Sequence, residues 1–416
     1  MENHELVIIG GGSAGIACAL GAYEGGLRDI LVIERDKEYG GILQQCIHNG
    51  FGLHTFNEEL SGPAYAEKYY GLIKDNECIH FRYESAVVGI EQNMLTVQAE
   101  DGLSKIRAQA IVLATGCRER PYGAIGLRGD RCEGVYTAGT AQRYLNKNGF
   151  LVGKKVFILG SGDIGLIMAR RMTLEGAEVI GVAEIQPYSN GLARNIKQCL
   201  EDFDIPLYLS HTVESIHGKG RLEYLTLIEV NDKLEKIAGS EQKIYCDCLL
   251  LSVGLIPENT LVEDIGVRLD PRTKGAIVDD SYMTSVEGIF ACGNALHVHD
   301  LVDYVSAEAR KCGQACAAYV LGKENDETEI VNVVGNGVSY MIPQSFHKDK
   351  DLEFLFRVRK VYGPCKIHVY GKGLDKKIAK PGIVPSEMQK VALKKEELAN
   401  LEGELNWEVL DETDMH

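Results

Sequence analysis

Apolar residues fall in two matched pairs of short, uninterrupted runs. Leu6-Val7-Ile8-Ile9 and Ile30-Leu31-Val32-Ile33 form the first pair, Val156-Phe157-Ile158-Leu159 and Val179-Ile180-Gly181-Val182-Ala183 the second. Short β-branched runs without polar alternation predict strands buried on both faces, as in parallel sheets. Between the members of each pair lies a glycine-rich turn and then a helical pattern, Ile16-Ala17-Cys18-Ala19-Leu20 and Leu166-Ile167-Met168-Ala169-Arg170-Arg171. Each pair ends in a glutamate, Glu34 or Glu184, 24 residues beyond the first glycine of its turn.

Each unit closes on a further buried run, Ala110-Ile111-Val112-Leu113-Ala114-Thr115-Gly116 in one and Leu249-Leu250-Leu251-Ser252-Val253-Gly254 in the other. The polar stretch Asn146 to Lys155, punctuated by Asn-Gly and Gly-Lys, predicts a boundary between them. Strand-and-turn character returns from Gly275 to Asn294, and a helix is expected from about Tyr304 to Leu321. Beyond Gly322-Lys323-Glu324-Asn325-Asp326-Glu327 apolar and polar residues alternate (Phe354-Leu355-Phe356-Arg357-Val358, Cys365-Lys366-Ile367-His368-Val369-Tyr370). That alternation predicts a small β-rich domain over 328–416, with a short solvated helix at Lys394 to Glu402.

The turns read Gly10-Gly11-Gly12-Ser13-Ala14-Gly15 and Gly160-Ser161-Gly162-Asp163-Ile164-Gly165. A strand, a side-chain-free turn and a helix N-terminus make a pyrophosphate seat, because oxygens reach the backbone N–H groups and the helix dipole stabilises their charge. An acidic residue ending the next strand accepts hydrogen bonds from ribose hydroxyls and repels a 2′-phosphate. Two copies imply two dinucleotide sites. Glu184 favours NADH over NADPH at the second, whereas Arg35 beside Glu34 tolerates more negative charge at the first.

A net charge of −16 argues against nucleic acid or an anionic membrane surface as partner. No apolar run approaches the length of a membrane span, and the charged first four residues do not resemble a signal peptide, so a cytoplasmic protein is expected. The twelve cysteines include no Cys-x-x-Cys and no group of four at zinc or iron–sulfur spacing. Cys246 with Cys248, expected on one face of a strand, and Cys312 with Cys316, one helical turn apart, read as reduced core packing.

The set Gly10-x-Gly12-x-x-Gly15, Ala114-Thr115-Gly116, Gly160-x-Gly162-x-x-Gly165 and Gly288-Ile289-Phe290-Ala291-Cys292-Gly293-Asn294 resembles the flavoproteins with two dinucleotide-binding domains, the pyridine nucleotide-disulfide oxidoreductase superfamily. The likeness runs from residue 5 to about residue 322. It implies an α/β fold of two Rossmann-like domains, an FAD domain at 1–119 and 265–322 split by an NAD domain at 150–255, plus the β-rich C-terminal domain. For FAD it implies Gly10, Gly12, Ser13, Ala14, Gly15, Glu34, Arg35, Gly41, Val87, Ala114, Thr115, Gly116, Gly293, Asn294, Asp303 and Tyr304. For NAD it implies Gly160, Gly162, Asp163, Ile164, Gly165, Glu184 and Gly254. The helix starting near Val302-Asp303-Tyr304 would direct N–H groups at the flavin, on which the nicotinamide stacks to pass hydride.

The family's redox pairs, Cys-x4-Cys after the Gly-Gly near residue 40 or Cys-x-x-Cys in the NAD(P)H domain, are missing. Asn294 stands where the family usually has Asp. The segments Gly40 to His54 and Tyr188 to Leu200, with the tail, resemble the NAD/FAD oxidoreductase subunit found beside glycerol-3-phosphate-dehydrogenase-like flavoproteins. More distantly they resemble the corresponding subunits of hydrogen cyanide synthase, opine oxidase and sarcosine oxidase. That likeness implies an oligomeric electron-transfer subunit whose partner flavoprotein oxidises glycerol-3-phosphate or a similar hydroxy- or amino-acid substrate. The tail holds only Cys365, so any iron–sulfur cluster belongs to a further small subunit.

Cys46 and His48 are the candidate catalytic pair. Cys46 admits two readings, a low-pKa thiolate beside the flavin, as in single-cysteine NADH oxidases, or a thiol packing the flavin pocket. His48 and His54 suit packing or a flavin hydrogen bond. The cluster His297-x-His299-Asp300 with Asp303 is expected to shape a loop rather than bind metal, and Arg118-Glu119-Arg120 to form surface or interdomain ion pairs. Two rival functions stay open: a stand-alone NADH oxidase or thiol/peroxide reductase using Cys46, and a flavin-bound scaffold without turnover.

Overall fold

The computed structural model describes residues 2–323 and 330–411. By contacts the chain forms two compact units, one of Met1–Gln44, Asn49–Cys117 and Pro257–His416, the other of Gln45–His48 and Arg118–Ile256.

In the first unit, strands run in the order Ile79–Arg82, Ile30–Ile33, Glu2–Ile9 and Gly102–Leu113, with Ile289–Ala291 also pairing parallel to Gly102–Leu113. An antiparallel extension, Met94–Ala99 and Ala86–Glu91, completes seven strands. Both faces are covered, which is why the strand runs are uniformly apolar. Leu6 and Ile8 enter one core with the helix Ser13–Gly25, whereas Val7 and Ile9 enter another with Val262 and Ala276.

The helix Ser13–Gly25 lies against Val302–Val320 at backbone contact. A Cβ on Gly21 would sit 2.0 Å from the Arg310 carbonyl oxygen, and one on Gly313 2.1 Å from that of Cys18. Only small side chains fit such a seam, and Cys18, Cys292, Cys312 and Cys316 are buried beside it as free thiols.

The same unit carries the C-terminal β structure. Its two sheets run Ser345–Phe346, Ile330–Val334, Glu402–Asp411, Cys365–Lys372, Leu374–Lys380, and Val338–Ile342, Leu352–Val358, Gln389–Leu393, around buried Phe346, Phe354, Phe356 and Trp407. The expected start of this domain at 328, and its last five residues, lie outside the described residues. The solvated helix shrinks to Lys395–Leu398, because Glu402 already pairs with Lys372. The helix expected from Tyr304 spans Val302–Val320.

The second unit has a parallel sheet in the order Val135–Thr137, Cys248–Leu251, Lys155–Leu159, Glu178–Glu184, Leu207–Leu209. A second sheet, Arg128–Gly129, His211–His217, Tyr224–Glu229 and Gln242–Tyr245, packs on it around Phe157 and Leu225. The polar stretch Asn146–Lys155 lies inside this unit, between the helix Ala138–Asn148 and the strand Lys155–Leu159. Cys246 and Cys248 do not share a face. Cys246 joins the core with Phe157, and Cys248 the core with Val156. The strand begins only at Cys248, so its two-residue period does not reach Cys246.

Candidate functional site

Each glycine turn is shaped by its own backbone. Gly10 has φ +108° and Gly160 φ +100°, a region that L side chains avoid. A Cβ on Gly10 would lie 2.4 Å from the Ala114 carbonyl oxygen, and one on Gly160 2.1 Å from that of Ser252. The third glycine of each turn seats the helix: Cβ atoms on Gly15 and Gly165 would lie 1.8 and 2.6 Å from the carbonyl oxygens of Gly10 and Gly160. Gly12 is different, since a Cβ there would meet nothing within 4 Å. The face above the first helix N-terminus is therefore open, and a side chain would fill the space a phosphate needs.

The glutamates are placed identically. Buried Glu34 accepts from Gly11 N–H at 2.6 Å and Asp36 N–H at 2.8 Å. Buried Glu184 accepts from Ser161 N–H at 3.0 Å, Ser161 Oγ at 2.7 Å and Gln186 N–H at 3.0 Å. A carboxylate offers about four lone-pair sites, so each retains acceptor capacity for ribose hydroxyls. These residues fit dinucleotides. Half-buried Asp163 accepts on Oδ1 from Leu192 N–H (2.9 Å) and Asn195 Nδ2 (2.7 Å), while Ile164 packs against the core. Gly254, with φ +102°, leaves open space.

Around the first turn, Gly40 N–H donates to Gly11 O at 2.8 Å, and a Cβ on Gly41 would lie 3.3 Å from Gly12 Cα. Ala114 N–H donates to Ile9 O, and Thr115 Oγ1 donates to Glu258 O at 2.6 Å. Gly116, at φ +72°, accepts at its carbonyl from Glu258 N–H. Gly293 comes so close that its Cβ would lie 2.7 Å from Ala14 Cβ. Ser13 and Ala14 open the helix itself. Asn294 Oδ1 accepts from His299 N–H at 3.1 Å, and its Nδ2 lies 3.6 Å from Cys117 Sγ. Asp303 accepts from Gly52 and Thr55 N–H groups at 3.2 and 2.8 Å, so it orders the Gly52–Thr55 loop. Half-exposed Tyr304 stacks on His54. Arg35 is exposed, and the Val87 side chain packs in the core with Val262 rather than at the turn.

The comparisons with known proteins bear on this arrangement. A family model described as pyridine nucleotide-disulphide oxidoreductase matches residues 4–318, which include both cradles and the Gly293 return. The chain belongs to that family. Like the rest of this oxidoreductase family, it is an enzyme of FAD and NAD(P)H chemistry. Hydrogen cyanide synthase subunit HcnB of Pseudomonas protegens is 25% identical over 314 residues, 70% of this chain and 64% of that one, so the chain spans less than two thirds of that relative. Thioredoxin reductase of Treponema pallidum is 26% identical over 301 residues, 70% of this chain and 89% of that one. Among solved structures, T. acidophilum thioredoxin reductase shares the fold at a TM-score of 0.63 and 20% identity, over 77% of this chain and 100% of that one. Among the described residues no helix is long and apolar enough to cross a membrane.

Thiol chemistry in this oxidoreductase family would need a reactive sulfur. Cys46 lies 3.7 Å from Gln142 Oε1, and burial pushes its thiol up to about 12. Such a thiol is protonated at neutral pH, the opposite of an activated nucleophile. Burial and nearby Arg194 hold His48 below the usual histidine value, although Asp163 acts the other way.

Two groups escaped the sequence reading. Glu119 accepts from Gly139 and Thr140 N–H at 2.7 and 3.2 Å, satisfying the first turn of Ala138–Asn148. Glu308 is buried against His297 and His299. Burial pushes its carboxyl up, but the two imidazoles outweigh this and hold it well below the carboxylate range. Glu308 lies in the next helix, 11 and 9 residues beyond the two histidines, a spacing that matches no familiar local motif.

Proposed function

We propose that this chain takes electrons between NAD(H) and FAD as the electron-transfer subunit of a multi-component dehydrogenase, FAD lying in the first unit and NAD in the second. The paired cradles carry the reading. Each combines a side-chain-free glycine turn with a buried glutamate that keeps spare acceptor sites. Bound FAD supplies the two-electron acceptor for a nicotinamide hydride. The chain's own residues bind and orient: Glu34 and Glu184 fix the ribose ends, the helix N-termini face the phosphates, and Asp303 orders the loop next to the Gly293 return. Glu184 favours NADH, because a 2′-phosphate would meet a carboxylate.

The protonated state of Cys46 and the missing second redox cysteine support a partner as the source or sink of electrons rather than a thiol on this chain. HcnB, itself a subunit, supports the same view. The partner is a flavoprotein oxidising glycerol-3-phosphate or a similar hydroxy- or amino-acid substrate, with any iron–sulfur cluster on a small third subunit. Cys365, the tail's one cysteine, is buried in the β core.

Anaerobic NADH should bleach the visible flavin absorption of the purified chain, and steady turnover should be slow until the partner subunit is added. Fast reduction of oxygen, peroxide or disulfide by the chain alone, lost in Cys46→Ser, would establish the thiol reading instead. Failure of NADH to bleach the flavin would leave only a scaffold.

A further inference from the structure

We propose that His297, His299 and Glu308 form a divalent metal site of the Zn2+ type. His297 Nε2 and His299 Nε2 lie 2.8 and 3.2 Å from the same oxygen, Glu308 Oε2, and the three candidate ligand atoms lie within 4.8 Å of one another. Two neutral imidazoles and a carboxylate are a donor set that Zn2+ takes at about 2.0–2.2 Å. Ligands at that radius stand roughly 3.0–3.4 Å apart, close to the two separations from Glu308 Oε2. All three residues are almost fully buried.

Neighbouring groups orient the ring nitrogens towards one point. Asn294 turns its amide nitrogen to Cys117 Sγ, which leaves its oxygen facing His299, 3.4 Å from Nδ1. An amide oxygen has no proton, so Nδ1 must donate. Its Nε2 is then directed at the Glu308 carboxylate. His299 Nε2 and Glu308 Oε2, 3.2 Å apart, therefore close on one point with His297 Nε2. A metal-bound histidine donating its other N–H to a neighbouring oxygen is the usual outer-shell arrangement. Glu308 is further aimed by Gly293 N–H on its other oxygen at 2.8 Å. His297 Nδ1 is buried with no hydrogen-bond partner, so that ring is held by what its Nε2 meets.

The site differs from the one a His-x-His-Asp sequence offers. Asp300 is engaged by the Arg357 guanidinium and by Met388 N–H, and Asp303 by the Gly52 and Thr55 amides. The third ligand comes instead from the helix Val302–Val320.

The test uses the full chain, stripped with chelator, equilibrated with Zn2+, desalted and assayed for metal by mass spectrometry. It needs no flavin and no activity. One zinc per chain is expected, falling below about a tenth in Glu308→Gln and in His299→Ala, since each variant loses a direct ligand. The second variant keeps the test valid if the first fails to fold. Wild-type protein that takes up no more zinc than the variants would overturn the site in favour of a bridging proton. Full stoichiometry in both variants would overturn it as well, placing the metal elsewhere, for example on the thiols beside the helix seam.

Discussion

Replacing Glu184 with glutamine removes one charge and turns one oxygen into a donor without changing shape. The native carboxylate takes three hydrogen bonds, two from Ser161 on Oε2 and one from Gln186 N–H on Oε1. The amide keeps the Ser161 pair by directing its oxygen there, which leaves its NH2 facing the Gln186 N–H, donor against donor. One hydrogen bond to a charged acceptor is lost, worth about 1.5–3 kcal/mol. The ribose hydroxyls lose an anionic acceptor of similar value, so Glu184→Gln should weaken NADH binding by roughly 10–100-fold. NADPH should suffer less, because the repulsion of its phosphate disappears with the charge. Anaerobic titration of Kd for both nucleotides measures this directly. Unchanged NADH affinity, or preserved discrimination between the two nucleotides, would refute the argument.

Other residues give sharper or cheaper tests. Because burial pushes the Cys46 thiol up to about 12, its alkylation rate at neutral pH should be low and should climb continuously to pH 10; a plateau below pH 8 would reveal an activated thiolate. Gly15→Ala places a methyl 1.8 Å from the Gly10 carbonyl oxygen, so the variant should emerge colourless or insoluble, and an FAD-replete variant would contradict the packing. Glu119→Ala strips two amide acceptors from a helix start and should cost about 1–2 kcal/mol, read as a lower midpoint in chemical denaturation of the full chain. An unchanged midpoint would show that water replaces it.

Both cradles were legible because their chemistry is local. Strand, turn, helix and glutamate fall within one continuous stretch, and φ values near +100° at Gly10 and Gly160 are what that spacing demands. The β-rich tail was legible from alternation, since Phe354, Phe356 and Val358 do share the buried face. What escaped depends on distant partners. Glu119 looks like one charge among three until Gly139 and Thr140 arrive beneath it. Glu308 reads as an exposed helix position until His297 and His299 close over it. Asp163, at a turn position that invites a phosphate role, is claimed by Leu192 and Asn195. Spacing along the chain pairs Cys312 only with Cys316, whereas in the fold Cys18 and Cys292 converge on Cys312 from distant segments.

The seam between Ser13–Gly25 and Val302–Val320 has a consequence for biosynthesis. The helix Ser13–Gly25 finds its main neighbour only when residues near 320 have been made, whereas the 118–256 segment is synthesised wholly between them. That intervening segment can mature while the buried face of Ser13–Gly25 waits for a late-arriving cover. A fragment ending before Val302 would therefore hold the 118–256 segment complete while leaving the seam face of Ser13–Gly25 uncovered.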